Sequence, residues 1–481
     1  MFFIGLNLKT KESYSQLQRN TLYGTIKNYA KQTLYLYKCL CDTLLLIDTT
    51  QTSNNGGFEF NIPSAFAYNN LSSPLGLYKI ILPYEQSFQF LYTGDAIEIQ
   101  TIYKHDFQYN IASDSLNVRQ SDENKRFIEF QQLQQQANIA NYYLLQMMRL
   151  YPIPDPFHKQ METEYYKRFD ALMQFVKQQQ KDYPECMTTK IAQAYYVPAL
   201  PDWKKPDSWR DSIIALHFFD YFNPADSFYL HTNILPEKID WYLALRTNKR
   251  DEFGQAVLSE DTLYEAAFEF LEKAKNNQAN GNKNFEFVLT YLLKQLHKEK
   301  KYRAFLRIYD AYLYRAGENC EVENDNFITY RELAGNIRGV EIGSIAPDFE
   351  LGNNSGLNLF NIKSDYVLLI FWASWCPHCK SEILNIYSYL SKEFPSLNQN
   401  KKTLTTIAIS LDTDKNKWQQ FIKDYNLSAW INIAELKGWD GNIVKKYNIY
   451  ATPTLILLDK NKKILFKPTD FKQLKFKLNE I

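Results

Sequence analysis

The chain has 481 residues, with 55 Lys and Arg against 54 Asp and Glu, a formal net charge of +1. This length predicts about three domains and excludes a small scaffold that needs disulfides for stability. Hydrophobic residues make up 45% and charged residues 23%, which is typical of a globular protein. The balanced charge argues against a general nucleic-acid binder and against an acidic disordered chain.

Cysteine is sparse, which is inconsistent with a disulfide framework. The six cysteines are at positions 39, 41, 186, 320, 376 and 379. No run reaches the roughly 18 consecutive apolar residues of a membrane-spanning helix, so we predict no spanning segment. The short apolar start, residues 1–8, fits either the tail of a signal peptide whose start was assigned too late or an ordinary first strand.

Residues 20–110 consist of short segments with strand character, separated by turn signals such as Asn54-Asn55-Gly56-Gly57. This spacing predicts a small antiparallel β-sandwich without a catalytic constellation. Cys39 and Cys41 are expected on one face of one strand. A disulfide between them would be strained, so we interpret both as packing residues.

Residues 120–335 show apolar positions at intervals of three and four, which predicts a helical domain acting as a spacer or in recognition. Proline clusters at 152–156 and 198–201 interrupt the helices. Four histidines lie here without metal-ligand spacing: His158, His217, His231 and His297. We therefore predict no metal and no cofactor.

From residue 340 to 481, apolar strands alternate with helical segments. Strands are expected at 366–371, 404–409 and 455–458, with helices at 380–394 and 417–425. Such alternation predicts a βαβ unit around a buried parallel sheet. The fold class predicted for the whole chain is multidomain, α+β and α/β.

The most informative stretch is Cys376-Pro377-His378-Cys379, which follows a buried strand and opens a helix. Because the thiolate is the nucleophile, a reactive site must lower the thiol pKa, and a helix N-terminus does this through its free N–H groups and dipole. Proline suits the first helical position, and a protonated His378 adds positive charge. We expect Cys376 to be the exposed attacking thiol and Cys379 the buried resolving thiol. Half of a zinc site is disfavoured because no second pair has ligand spacing, and two packing cysteines are disfavoured by the position of the pair between a buried strand and a helix.

The stretch Phe371-Trp372-Ala373-Ser374-Trp375-Cys376 with Cys379 closely resembles the active site of the thioredoxin fold. Ala451-Thr452-Pro453-Thr454 resembles the cis-proline loop of that fold, which implies that Thr452 and Pro453 face the cysteines and contact substrate. Gly343–Phe349 resembles the opening of the AhpC/TSA-related branch, shared by peroxiredoxins and the TlpA/ResA-like envelope oxidoreductases.

Three positions refine this resemblance. Glu382 matches the glutamate that the TlpA/ResA-like branch carries three residues after the second cysteine, which implies that it exchanges a proton with Cys379; a solvated helix glutamate is the alternative. Ile370 stands where ordinary thioredoxin has a buried aspartate. Leu369 and Ala373 occupy the Pro and Thr/Ser positions of a peroxiredoxin motif, which disfavours peroxidase chemistry.

Two further similarities concern location and direction. Gly24-Thr25-Ile26, and Gly94-Asp95 before Ile97, resemble the domain that often precedes a TlpA-like module in Gram-negative envelope proteins. This implies a periplasmic or envelope location, with the cytoplasm as the alternative. Pro377-His378 is also the dipeptide of the oxidant DsbA, so the direction of electron flow stays open.

We therefore predict a thiol–disulfide oxidoreductase that acts on protein cysteines, in the reductive direction usual for this class, with an upstream redox partner. The alternative function is an envelope binding or scaffold protein, in which residues 1–335 recognise a partner and the redox module is secondary. A thiol peroxidase is a weaker third possibility.

Overall fold

The computed structural model describes residues 21–64, 73–104, 110–119, 121–197, 205, 207–247, 259–275, 283–314, 325–352, 356–394 and 402–480. The chain divides into two compact units, Met1–Ala304 and Phe305–Ile481. The first contains sheets followed by helices and the second mixes both, which confirms the predicted multidomain class. The predicted division into domains at 20–110, 120–335 and 340–481 stays a prediction. Residues 1–8, Cys320 and the 198–201 proline cluster lie outside the described residues.

The first unit begins with two four-stranded sheets, in the orders β4-β1-β7-β8 and β3-β2-β5-β6. Apolar side chains from both sheets, such as Leu22, Leu36 and Phe90, pack in one buried cluster, as predicted for a sandwich. The strands are β1 (Thr21–Lys27), β2 (Thr33–Leu40), β3 (Thr43–Gln51), β4 (Gly57–Asn61), β5 (Gly76–Ile81), β6 (Ser87–Tyr92), β7 (Ile97–Ile102) and β8 (Asn117–Arg119).

One strand pair departs from the antiparallel arrangement that we predicted. β1 and β7 are parallel, with Gly24 opposite Ile99. The two strands are far apart in the sequence, so the chain returns by a long connection rather than a hairpin. A Cβ at Gly24 would overlap the carbonyl oxygen of Ile99, so this close approach requires glycine.

The expectation for Cys39 and Cys41 is corrected in one respect. β2 ends at Leu40, and Cys41 lies in the two-residue turn to β3 with φ of +51°, so the two cysteines do not share a strand face. Two-residue hairpins commonly need positive φ, which ends the strand here. Both thiols are buried, and burial raises the pKa of Cys39 to about 11 and that of Cys41 above its usual value. Both are therefore protonated at neutral pH, as expected of packing residues.

Helices complete the first unit. Besides a single turn at Ile111–Asp114, they are α1 (Asp122–Leu150), α2 (Pro156–Asp182), α3 (Met187–Ala194), α4 (Asp207–Leu216), α5 (Ile234–Thr247), α6 (Glu260–Ala274) and α7 (Lys283–Lys298), while α8 (Tyr302–Tyr309) crosses the boundary between the units. The buried Asn124 of α1 accepts from the backbone N–H of Leu91 at 2.7 Å and donates to its carbonyl oxygen at 2.8 Å. These two bonds pair the backbone N–H and carbonyl oxygen of Leu91 on the edge strand β6, and they attach α1 to the sandwich.

The second unit contains a five-stranded sheet in the order β11-β10-β9-β12-β13. Its strands are β9 (Tyr366–Trp372), β10 (Leu404–Ser410), β11 (Ile431–Ala434), β12 (Thr454–Asp459) and β13 (Ile464–Phe466). Its helices are α9 (Asp325–Gly339), α10 (Pro377–Ser388), α11 (Lys415–Asp424), α12 (Asn442–Lys446) and α13 (Phe471–Glu480).

The prediction of a parallel sheet holds for only part of this unit. β9, β10 and β11 are parallel, whereas β12 runs antiparallel to β9 and to β13. β12 lies between two neighbours, and its residues Leu455–Leu458 are buried. A strand inside a mixed sheet therefore has the same continuous apolar run as a buried parallel strand, and the sequence pattern carries no information about its direction.

Candidate redox site

The central strand β9 carries the chain to the cysteine pair. Its residues Val367–Trp372 are all buried, and β10 and β12 are its neighbours in the sheet. A short turn over Ala373–Trp375 follows, and α10 then begins with Cys376 as its N-cap and Pro377 in its first turn. The proline lacks only an N–H that has no partner within the helix at this position. Strand and helix therefore place the first cysteine at a helix N-terminus, just beyond the carboxyl end of the central strand.

Cys376 and Cys379 are joined by a disulfide. Cys379 has no exposed surface, as expected for a buried resolving thiol, but Cys376 is only 5% exposed and is less accessible than predicted. The backbone N–H of Cys379 donates to Sγ of Cys376 at 3.1 Å. Such a bond, at the positive end of a helix dipole, stabilises negative charge on this sulfur when it is a thiolate.

The loop that precedes β12 faces this cysteine. The peptide bond between Thr452 and Pro453 is cis, as the family resemblance implies. The carbonyl oxygen of Thr452 lies 3.4 Å from Sγ of Cys376. The fold thus brings together the cysteine and a loop 76 residues further along the chain. It leaves Thr452 and Pro453 half-buried beside the sulfur.

The other motif side chains lie at the surface. Pro377 and His378 are exposed, and Trp375 is 53% exposed. The ring of Trp439, 44% exposed, has its centroid 6.4 Å from that of Trp375. Two neighbouring exposed indoles form an apolar surface next to the cysteine motif. Trp439 was not predicted as a site residue, and a lone tryptophan in the sequence carries no signal for this placement.

Glu382 has a structural partner that the sequence did not indicate. Its Oε2 accepts a hydrogen bond of 2.6 Å from the backbone N–H of Phe471, at the start of α13. A carboxylate at a helix N-terminus is electrostatically favourable and satisfies an otherwise unpartnered N–H group. Glu382 therefore links α10 to α13. Its implied proton exchange with Cys379 stays a prediction.

A buried aspartate, also missed from the sequence, holds the turn before the cysteines. Asp412 is 1% exposed and follows β10. Its carboxylate accepts from the N–H of Ser374 at 3.0 Å, from the hydroxyl of Ser374 at 2.6 Å and from the hydroxyl of Ser410 at 2.7 Å. Asp412 is therefore positioned to fix the conformation of the turn two residues before Cys376. The only sequence signal is an aspartate directly after a buried strand.

Among the residues that the structure describes, no group of three or more His, Cys, Asp or Glu side chains is arranged to hold a metal ion. Arg126 donates to the sulfur of Cys186 at 3.4 Å, and burial is the main cause that raises the pKa of this thiol.

Comparison with known proteins identifies the same part of the chain. Residues 364–464 match the family model described as "Thioredoxin-like". The chain is 30% identical over 141 residues to the thiol-disulfide oxidoreductase ResA of Bacillus cereus, which covers 29% of this chain and 76% of that protein. It is 31% identical over 128 residues to ResA of Bacillus thuringiensis subsp. konkukian, which covers 26% of this chain and 68% of that protein.

Two solved structures are also similar. One is a thiol-disulfide oxidoreductase from Bacteroides fragilis, 34% identical, covering 28% of this chain and 98% of that one, with a TM-score of 0.25. The other is a thioredoxin-like protein from Bacteroides caccae, 20% identical, covering 59% of this chain and 97% of that one, with a TM-score of 0.35. The identity to the Bacillus proteins, and the share of them that is covered, show that the chain belongs to the ResA family of thiol–disulfide oxidoreductases, as its resemblance to the thioredoxin fold predicted.

Proposed function

We propose that Cys376 and Cys379 are the redox pair of this oxidoreductase and that they reduce disulfides in protein substrates. The observation that carries the proposal is the position of Cys376, which caps α10 and lies 3.4 Å from the carbonyl oxygen of Thr452. A reactive sulfur beside a half-buried loop suits an extended polypeptide substrate, which the loop could hold through main-chain hydrogen bonds.

The reaction follows from the two positions in the helix. In the reduced protein, the Cys376 thiolate attacks one sulfur of a substrate disulfide, and the other substrate sulfur leaves as a thiolate that takes up a proton. Cys379 then gives up its proton and attacks Cys376 in the mixed disulfide. This forms the Cys376–Cys379 disulfide and releases the second substrate thiol. Two electrons pass to the substrate, and an upstream dithiol partner returns them.

The apolar surface of Trp375 and Trp439 supports a protein rather than a small disulfide as substrate. Exposed aromatic residues beside a reactive centre provide contact area for a partner chain.

Two further features are part of the proposal, a periplasmic or envelope location and the upstream partner. Within the described part of the chain, no helix has both the length and the apolar character needed to cross a membrane.

The test is to trap the intermediate in a Cys379→Ser variant. Without the resolving thiol, the mixed disulfide through Cys376 should persist and be seen with insulin, a disulfide-bonded protein, on non-reducing gels and by mass spectrometry. The matched control is Cys186→Ser, which removes a cysteine outside the site and should trap nothing. If Cys379→Ser traps no species where a known thioredoxin variant does, the proposal is wrong.

The direction is tested separately, by equilibrating the cysteine pair with glutathione. A reduction potential near that of thioredoxin, about −270 mV, supports a reductant, whereas one near that of DsbA, about −120 mV, contradicts it.

A further inference from the structure

The helices of the first unit line an open cavity that is far from the cysteine motif in sequence. It has a volume of about 630 Å³ and lies among α1, α2, α4, α5 and the segment after α3. Apolar side chains form much of its wall, among them Ala137, Leu145, Phe169, Leu172, Met173 and Ile214. Both the volume and the mainly apolar wall are typical of pockets for small organic ligands.

A buried cation is part of this wall. Lys238 is 1% exposed, and its ammonium lies over the rings of Tyr195 and Trp241, 3.6 and 4.5 Å from their centroids. Among the residues described, no carboxylate lies within salt-bridge distance of it. Burying a charge without a counterion is costly, and cation–π contacts offset only part of that cost. A bound anion would offset that cost, so the site favours an anion when Lys238 is protonated.

Two other polar groups of the wall are also without partners. Nε of Arg210 and Oδ1 of Asn141 are buried and have no hydrogen-bond partner within the described part of the chain. Among the described residues that line the cavity, Glu237 is the one carboxylate; it accepts a hydrogen bond of 2.7 Å from the hydroxyl of Tyr195 and keeps its negative charge. With Lys238 protonated, the wall thus carries the positive charges of Lys238 and Arg210 against the one negative charge of Glu237, around an aromatic, apolar interior. Buried polar atoms without partners are rare in folded proteins, which favours a ligand that pairs with them.

We propose that this cavity binds an amphipathic organic anion, with its apolar or aromatic body against the helices and its carboxylate or sulfonate against Lys238 and Arg210. The ligand site is separate from the cysteine pair, so the proposal does not depend on the redox function. It gives the first unit a binding role of its own.

The test uses two fluorescent probes of similar shape on the full chain. Anilinonaphthalene sulfonate carries one negative charge, and N-phenyl-1-naphthylamine carries none. We expect one saturable sulfonate site per chain in the wild type and at least tenfold weaker sulfonate binding in Lys238→Met. The affinity of the same variant for the neutral probe should change less than threefold, because methionine preserves the apolar volume of the site.

Two further variants separate the alternatives. Arg210→Met tests the second cation and should weaken sulfonate binding in the same way. Lys177→Met removes an equal charge from an exposed position of α2 and should leave the binding of both probes unchanged. Circular dichroism and thermal unfolding check that each variant is folded. The proposal is overturned if the wild type has no saturable site for the sulfonate probe or if neither cavity variant weakens sulfonate binding. It is also overturned if the variants weaken the binding of both probes equally.

Discussion

Removal of the Asp412 carboxylate should release the turn that precedes the cysteines. In Asp412→Ala, the N–H and the hydroxyl of Ser374 both lose a charged acceptor in a nearly solvent-free position. Hydrogen bonds to charged groups contribute roughly 1.5–3 kcal/mol each. Since the variant also no longer buries a carboxylate, part of this loss is offset, and we expect the turn to open about 3 kcal/mol more easily.

Amide hydrogen exchange measures this opening directly, without requiring the two units to unfold together. A change of about 3 kcal/mol corresponds to a roughly hundredfold larger opening constant, so the Ser374 amide should exchange roughly hundredfold faster. The matched control is Asp414→Ala. That residue is exposed and caps α11 by accepting from the N–H of Asn416 at 2.8 Å, whereas the N–H and the hydroxyl of Ser374 both donate to Asp412.

The Asp414→Ala control should lower the stability of α11 by about 1 kcal/mol and leave amide exchange at Ser374 unchanged. If exchange at Ser374 rises less than about threefold in Asp412→Ala, the carboxylate does not hold the turn and the reasoning is refuted.

Two further predictions concern Glu382 and Lys238. Glu382→Ala should lower the free energy of unfolding by about 1 kcal/mol, because the N–H of Phe471 loses its acceptor, whereas Glu382→Gln retains an acceptor oxygen and should unfold near the wild-type temperature. If Glu382 also exchanges a proton with Cys379, rapid-quench measurements should show slower resolution of the mixed disulfide in both variants; wild-type resolution in the glutamine variant would leave only the structural role. For Lys238, burial lowers the pKa from 10.5 to about 7, so protonation costs free energy in the folded state. The stability of the wild type relative to Lys238→Met should therefore be lower below pH 7 than above about pH 10.5, by on the order of 5 kcal/mol, with the change spread over the range between. The other charged groups of the cavity, Glu237 and Arg210, are present in both proteins, so denaturant unfolding at several pH values isolates Lys238; a difference that does not vary with pH would contradict the prediction.

Much of the fold was predictable because its signals are local. Alternation of apolar residues identified the strands of the sandwich, and a period of three and four identified the long helices, since each pattern reflects a face that must be buried. The parallel pairing of β1 with β7 and the reversed direction of β12 were missed. Strand direction depends on how distant segments meet, and an apolar run is the same in either direction.

The same division applies to the site. Cys376, Pro377 and Cys379 lie within one turn of helix, so their order and spacing alone predict a capped N-terminus with one sulfur at its end. The limited accessibility of Cys376 was not predictable, because the loop at Thr452 that lies beside it comes from another part of the chain.

By itself, the sequence determined that this chain carries a cysteine pair at the start of a helix, because strand, cap and proline are contiguous and their chemistry is local. Only the tertiary structure decided that Asp412 accepts hydrogen bonds from the turn before that pair, that Glu382 caps a distant helix, and that Lys238 is buried in an aromatic cavity. Each of these depends on residues that are remote in sequence and adjacent in space. Whether a charged side chain is solvated or buried is set by its neighbours from other segments, and no local pattern records them.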